Sequence, residues 1–274
     1  MTMDLSVELI HATVQLEQPL GDGTRTVGTG FLVSAPTPDG KPRTVLVTAG
    51  HVLDRMPAAD MRIGYRMKLD GGSWAYEPQK IAIRSDGGEL WTRNPQHDVA
   101  VMVVKVPPQF SQAAIPLDWL ADDDAFERFR VGPGDEMMAL GFPRGLSSNV
   151  AGFPILRSGK VASYPLGPTK EFPTFLLDFS VFPGNSGGPV FIARMDETGK
   201  PALLVAGMLT QQVELTGERL EIGIVTNASF VRETIAMLDK AAAPASVTTA
   251  EAAPQEGRPR VAFNAAMPAV QVSK

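Results

Sequence analysis

Punctuation constrains the fold of this chain more than any other feature. Short apolar runs recur along it, each closed off by a turn rich in glycine, proline or small polar residues. The 26 Gly and 23 Pro lie mostly between those runs. Continuous runs of this kind are too short for helices and suit buried strands bounded by turns. Segments 12–17, 25–34, 43–48, 62–69, 74–84 and 99–104 read as strands, with Asp70-Gly71-Gly72 as a hairpin turn. A second set follows at 136–141, 155–164, 174–179, 189–193, 202–210 and 219–225.

Composition changes between the two sets. Pro107-Pro108, the acidic run Asp122–Asp124 and Val131-Gly132-Pro133-Gly134 mark a crossing segment, with a short helical turn expected within 118–130. The last regular element reads as a helix over 228–240, with Val231, Ile235 and Leu238 on one face and Asn227 or Ser229 capping its start. The pattern predicts an all-β protein of two packed barrels and a C-terminal helix. We expect an N-terminal barrel over 1–118, a connection over 119–134, and a C-terminal barrel with the helix over 135–240. From 241 to 274 the chain is Ala, Pro, Thr and small polar residues, which bury too little apolar area to offset ordering entropy. Most of that tail is expected to be disordered, with 261–263 and 270–272 able to dock as short strands.

The charge balance narrows the partners. With 25 Lys and Arg against 30 Asp and Glu, the chain has a net charge of −5 and no basic stripe, so nucleic acid is not an expected partner. No run is apolar for long enough to span a membrane. The first residues, MTMDLSVELIHATVQLEQ, have no basic start, apolar core or small-residue cleavage site, and do not read as a secretory signal. The absence of cysteine leaves no disulfide framework. Both facts fit a cytoplasmic protein.

Three segments carry chemistry. In Phe182-Pro183-Gly184-Asn185-Ser186-Gly187-Gly188-Pro189-Val190, glycine on both sides of a serine permits a tight turn that exposes the hydroxyl. The amides of Gly184 and Ser186, with Asn185 as a bystander or assistant, could then form an oxyanion hole. Val47-Thr48-Ala49-Gly50-His51 ends an apolar strand in a small-residue turn that leaves room beside an imidazole. Asp98, entering the apolar strand 99–104, is placed for the partial burial that a carboxylate needs to orient a histidine. Taken singly, each has a plain structural reading: a glycine-rich loop, a surface histidine, a turn aspartate.

Together they resemble the chymotrypsin-like serine peptidases, specifically the bacterial type that includes the high-temperature-requirement proteases. Thr48–His51 matches the family's histidine turn, Asp98–Val101 its acid strand, and Gly184–Pro189 its serine loop, in the family's order. Gly28-Thr29-Gly30-Phe31 matches the strand before the histidine motif. The resemblance implies two six-stranded antiparallel β-barrels and a serine endopeptidase with Ser186 as nucleophile, His51 as general base and Asp98 orienting it. It implies no metal and no cofactor, and a protein or peptide as substrate.

It also implies a primary pocket with Ser180 at its base and Val181 and Phe182 on one wall. Thr210, Gln211 and Gln212 would hold the substrate backbone, with Leu220 and Ile222 on the far side. Ser180 supplies no acid, so a small or medium uncharged residue is expected before the scissile bond, unless Glu221 points inward. Asn185 stands where digestive relatives have an aspartate that pairs with a new N-terminus, so control by that route is not expected. About 34 residues after the helix are too few for a further peptide-binding domain, unlike the high-temperature-requirement proteases. A regulatory partner, or the tail acting as a tether or pseudosubstrate, is the expected control. The rival readings are a silent peptide-binding or scaffold protein on the same fold, and an esterase using the same triad.

Other features read as structural. His97 is expected to be a loop residue beside the acid, and His11 to be exposed. The dispersed Met residues fill core space. Asp122–Asp124 lacks the spacing of a calcium loop. The 21–30 stretch reads as a hairpin and not a phosphate cradle.

Overall fold

The computed structural model describes residues 2–86, 88–108, 114–195, 198–215 and 217–242. The tail beyond 242, with its expected disorder and short strands, lies outside the described residues.

The first half opens with helix α1 (Thr2–Ala12), which runs directly into β1 (Thr13–Pro19). Next come β2 (Arg25–Ser34), β3 (Thr44–Thr48), the short helix α2 (Gly50–Asp54), β4 (Asp60–Lys68) and β5 (Trp74–Ala82). Four two-residue or near-minimal pieces and one core strand complete it: β6 (Arg84–Ser85), β7 (Gly88–Glu89), β8 (Thr92–Arg93), β9 (Ala100–Val104) and β10 (Ile115–Pro116). The connection holds α3 (Ala125–Arg128). The second half contains β11 (Glu136–Gly141), β12 (Ile155–Val161), β13 (Thr174–Asp178), β14 (Pro189–Met195), β15 (Pro201–Leu215) and β16 (Glu218–Asn227), then α4 (Ala228–Ala242).

Every strand expected from the sequence exists, and the molecule is built mainly of strands. The second half is a closed six-stranded barrel in the order β11-β12-β13-β16-β15-β14. The first half differs from the expected closed barrel. Its ladder runs β5-β4-β1-β2-β3-β9-β8, with β10 parallel to β2, and β8 does not pair with β5 among the described residues. The reason is local. β8 is only two residues long, and the segment between β5 and β8 pairs with itself as the β6–β7 ribbon. Strand β3 lies at the centre because Val45, Leu46 and Val47 are buried on both faces, between β2 and β9. The β4–β5 turn is the expected one, with Gly71 and Gly72 at φ near 83° and 84°.

Two helices join the halves. α4 starts where Asn227 Oδ1 accepts the Ser229 N–H at 3.1 Å, so Asn227 and not Ser229 is the cap. Its Val231 and Ile235 are buried, as the sequence pattern requires. It also reaches the first half: Arg43 pairs with Asp239 at 2.7 Å, and Asn94 Nδ2 donates to Thr234 Oγ1 at 3.1 Å. α1 was not legible in the sequence. Its end is fixed by Arg66 of β4, a buried guanidinium that donates to the carbonyls of His11 at 2.8 Å and Thr13 at 2.7 Å. The same side chain bonds Gly152 O of the second half at 3.0 Å. His11 is therefore not the exposed residue expected. It is half-buried, with ring centroids 4.7 Å from Trp74 and 5.4 Å from Phe153.

Candidate active site

His51 belongs to α2, one residue past the Ala49-Gly50 turn that ends β3. Asp98 lies two residues before β9, the strand paired with β3. That pairing brings acid and base together. His51 Nδ1 stands 2.5 Å from Asp98 Oδ2, and the His51 backbone N–H donates to Asp98 Oδ1 at 2.9 Å. Gly50 allows a close approach here: a Cβ on it would lie 3.1 Å from Asp98 Oδ1 and 3.0 Å from Arg93 Nη1. Burial alone would raise the Asp98 pKa. The bonds from the His51 ring and backbone, with the nearby Arg93 charge, outweigh it and hold the carboxyl below its ordinary value. Two bonds from one partner fix the imidazole's orientation, and the Nδ1 contact leaves Nε2 facing the cleft.

The acid loop has its own support. Asn94 Oδ1 accepts the N–H groups of Gln96 at 3.0 Å and His97 at 3.1 Å. His97 lies against the Phe230 ring of α4 at 3.6 Å between centroids, so it is a packing residue beside the acid, as expected. Arg93 forms a two-pronged pair with Asp54 on the other side.

Ser186 sits between β13 and β14 in a turn tied to both halves. The Thr29 N–H donates to Ser186 O at 2.9 Å, and the Gly187 N–H donates to Leu209 O at 2.8 Å. Gly184 and Gly187 have φ of 95° and 89°, and Cβ atoms there would come within 2.3 Å of Phe142 O and 2.0 Å of Thr29 O. No other residue fits either position without moving backbone. The Pro183 carbonyl accepts the Arg144 N–H at 2.6 Å, which turns the Gly184 N–H of that trans peptide the opposite way. Among the described residues, neither the Gly184 nor the Ser186 amide N–H has a protein acceptor. Both residues line a groove of about 240 Å³ beside His51. The Asn185 amide is different: it donates to Phe182 O at 3.0 Å and is not free to serve an oxyanion. The Asn185 side chain is buried, and its Oδ1 has no partner.

His51, Asp98 and Ser186 line one cleft of about 450 Å³. Ser186 Oγ donates to Thr210 O at 3.1 Å and makes no bond to His51 in this conformation. Val181, Phe182, Thr210, Gln211 and Gln212 line the same cleft. Ser180, Leu220 and Ile222 do not. The Ser180 carbonyl is held by Arg157, Leu220 is 41% exposed, and Ile222 faces Asp178 in the barrel ladder. Glu221 is exposed and also absent from the lining. Gly223, next to Ile222, packs close to Val181: a Cβ there would lie 3.0 Å from Val181 Cγ2. The sequence reading missed Arg55, Arg93, Asn94 and Arg219 in the lining. A register count along the β15–β16 hairpin would have found Arg219, but the hairpin runs to Leu215 and was expected to stop at 210.

The β15 edge matters for what the cleft can hold. Pairing with β14 ends at Pro189↔Met208, while pairing with β16 continues through Gln211, Gln212 and Leu215. Thr210–Gln212 therefore has a free edge at the cleft, open to an extended chain. Among the described residues no cluster of side chains could hold a metal ion.

Similarities to known proteins agree with this architecture. The HtrA-type protease AlgW with a tripeptide matches at a TM-score of 0.54 and 18% identity, over 88% of this chain and 64% of that one. AlgW with a decapeptide matches at 0.51 and 17%, over 88% and 68%. This chain thus spans just under two thirds of the length of the first of these, and at such identity the likeness establishes the fold. No curated protein sequence matches significantly. The model of the trypsin-like peptidase domain matches residues 28–199, a stretch that includes His51, Asp98 and Ser186. That match covers more than half of the sequence, and the chain belongs to the trypsin-like peptidase domain family.

Proposed function

We propose that this protein is a serine endopeptidase that hydrolyses peptide bonds through an acyl-enzyme, with Ser186 as nucleophile. The observation that carries the reading is one cleft with two features. It has a base oriented by a carboxylate at 2.5 Å, and a serine whose own and neighbouring Gly184 amides have no acceptor among the described residues. Ser186 Oγ swings from Thr210 O to His51 Nε2 and attacks the carbonyl carbon while Nε2 takes its proton. The Gly184 and Ser186 N–H groups receive the oxyanion. His51 returns the proton to the leaving amine, then activates water to release the acyl group. Asp98 keeps the imidazole in the right tautomer and stabilises it when charged.

The free Thr210–Gln212 edge supports an extended peptide as substrate, and Val181 with Phe182 supports a small or medium uncharged residue before the scissile bond. Control by the tail or by a regulatory partner is part of this proposal; removing residues after Lys240 and comparing turnover tests the tail. A silent peptide-binding protein is favoured by one observation, the Ser186 hydroxyl resting on Thr210 O. Fluorophosphonate labelling decides between them. The peptidase reading expects stoichiometric labelling of wild type and none of Ser186→Ala, together with peptide hydrolysis that the variant loses. An unlabelled, inactive wild type overturns it.

A further inference from the structure

The cleft carries more positive charge than the surrounding molecule would suggest. Five formally charged carboxylate and guanidinium groups line it: Asp54, Asp98, Arg55, Arg93 and Arg219. Both acids are already engaged, Asp54 by Arg93 and Asp98 by His51. Arg55 and Arg219 make no ion pair and no side-chain hydrogen bond among the described residues. Glu214, directly across the ladder from Arg219, does not pair with it, and Glu218 and Glu221 do not line the cleft. Two guanidinium groups without an ion pair among the described residues thus line the cleft in a protein of net charge −5.

Their positions divide the cleft. Arg219 is on the side of Gln211 and Gln212, where the acyl half of a substrate would pair with the free edge of β15. Arg55 follows α2 and also lines the groove formed by Thr26, Val27, Pro183 and Gly184, beyond the His51–Ser186 pair. That is where the leaving half would exit.

We propose that Arg55 and Arg219 determine specificity, selecting peptides that carry an Asp or Glu on each side of the scissile bond, on the acyl side upstream of the uncharged residue that precedes the bond. Arg219 reads the acyl side and Arg55 the leaving side. This rests on the peptidase reading and names its substrate class. Guanidinium groups suit the task because their fixed donor fork matches a carboxylate.

The test is cleavage-site profiling of a peptide library by wild type, Arg219→Glu and Arg55→Glu, with Ser186→Ala as the blank. Wild type should enrich acidic residues on both sides. Each charge reversal should invert the preference on its own side and leave the other side as it was. For matched peptides differing by Glu against Gln, kcat/KM should favour Glu by about 5-fold per site, as expected for an exposed pair. That ratio should shrink towards unity as salt rises to about 0.5 M. Cleavage without acidic enrichment, or enrichment that both variants keep, overturns the inference and leaves the peptidase reading intact. If wild type cleaves nothing, the peptidase reading fails. Anisotropy titration of the same Glu and Gln peptides onto Ser186→Ala then decides the charge preference without turnover.

Discussion

Thr29 Oγ1 donates to the Gly184 carbonyl at 2.6 Å and accepts the Phe142 N–H at 3.1 Å, so one hydroxyl of the first half holds two segments of the second. Thr29 is fully buried, and nothing else bonds that carbonyl among the described residues. Thr29→Val keeps the shape and removes both bonds. We expect it to lower stability by about 1–3 kcal/mol, read as a shift in denaturant midpoint. It should also lower kcat more than it raises KM, because the serine loop loses its tether at the Gly184 carbonyl. Thr29→Ser should restore most of both.

Gly184→Ala probes the adjacent Pro183–Gly184 peptide, whose N–H is assigned to the oxyanion. A methyl group would meet Phe142 O at 2.3 Å in a backbone conformation of φ 95° that alanine avoids. The peptide must turn, carrying its N–H away from the oxyanion. Turnover should fall by about 10²-fold or more with the circular-dichroism spectrum unchanged. A variant with wild-type kcat would remove Gly184 from the hole.

Asp98→Asn should cost about 10⁴-fold in kcat, because the amide favours the wrong imidazole tautomer. It also has a pH signature in stability. The folded-state pKa of Asp98 is depressed, so its stabilisation is complete above the ordinary carboxylate range and is lost as pH falls through the folded value. The stability gap between wild type and Asp98→Asn should be constant at neutral pH and narrow below about pH 4. Urea titrations across that range measure it.

His11 responds with the same sign for a different reason. Burial first, then the charges of Arg66 and Lys68, hold its pKa below the ordinary value. A histidine kept neutral by folding contributes stability above its unfolded pKa that is lost as pH falls towards the folded one. Wild type should therefore lose stability from about pH 6.5 downwards, and His11→Gln should flatten that slope. Equal slopes in the two proteins would place the acid sensitivity elsewhere.

Much of the fold was legible because strand pattern and turn chemistry are local. Val45–Val47 had to be a core strand wherever it packed, and Gly71-Gly72 had to turn. α1 was not legible. Its carbonyls are finished by Arg66, more than fifty residues away, and its burial depends on strands of the other half. The open first sheet was equally hidden, since β8 pairs over only two residues.

The site divides in the same way. The residues of the serine loop, the histidine turn and the acid strand declared themselves by type, because a strained glycine turn and a carboxylate at a strand entry carry their reasons in their own sequence. Which of their neighbours face the cleft was decided only by tertiary structure. The Asn185 amide turned away to Phe182, and Ser180, Leu220 and Ile222 stayed out of the lining while Arg219 entered it. Those outcomes depend on hydrogen-bond competition and on the register of β15 against β16, which no single segment encodes.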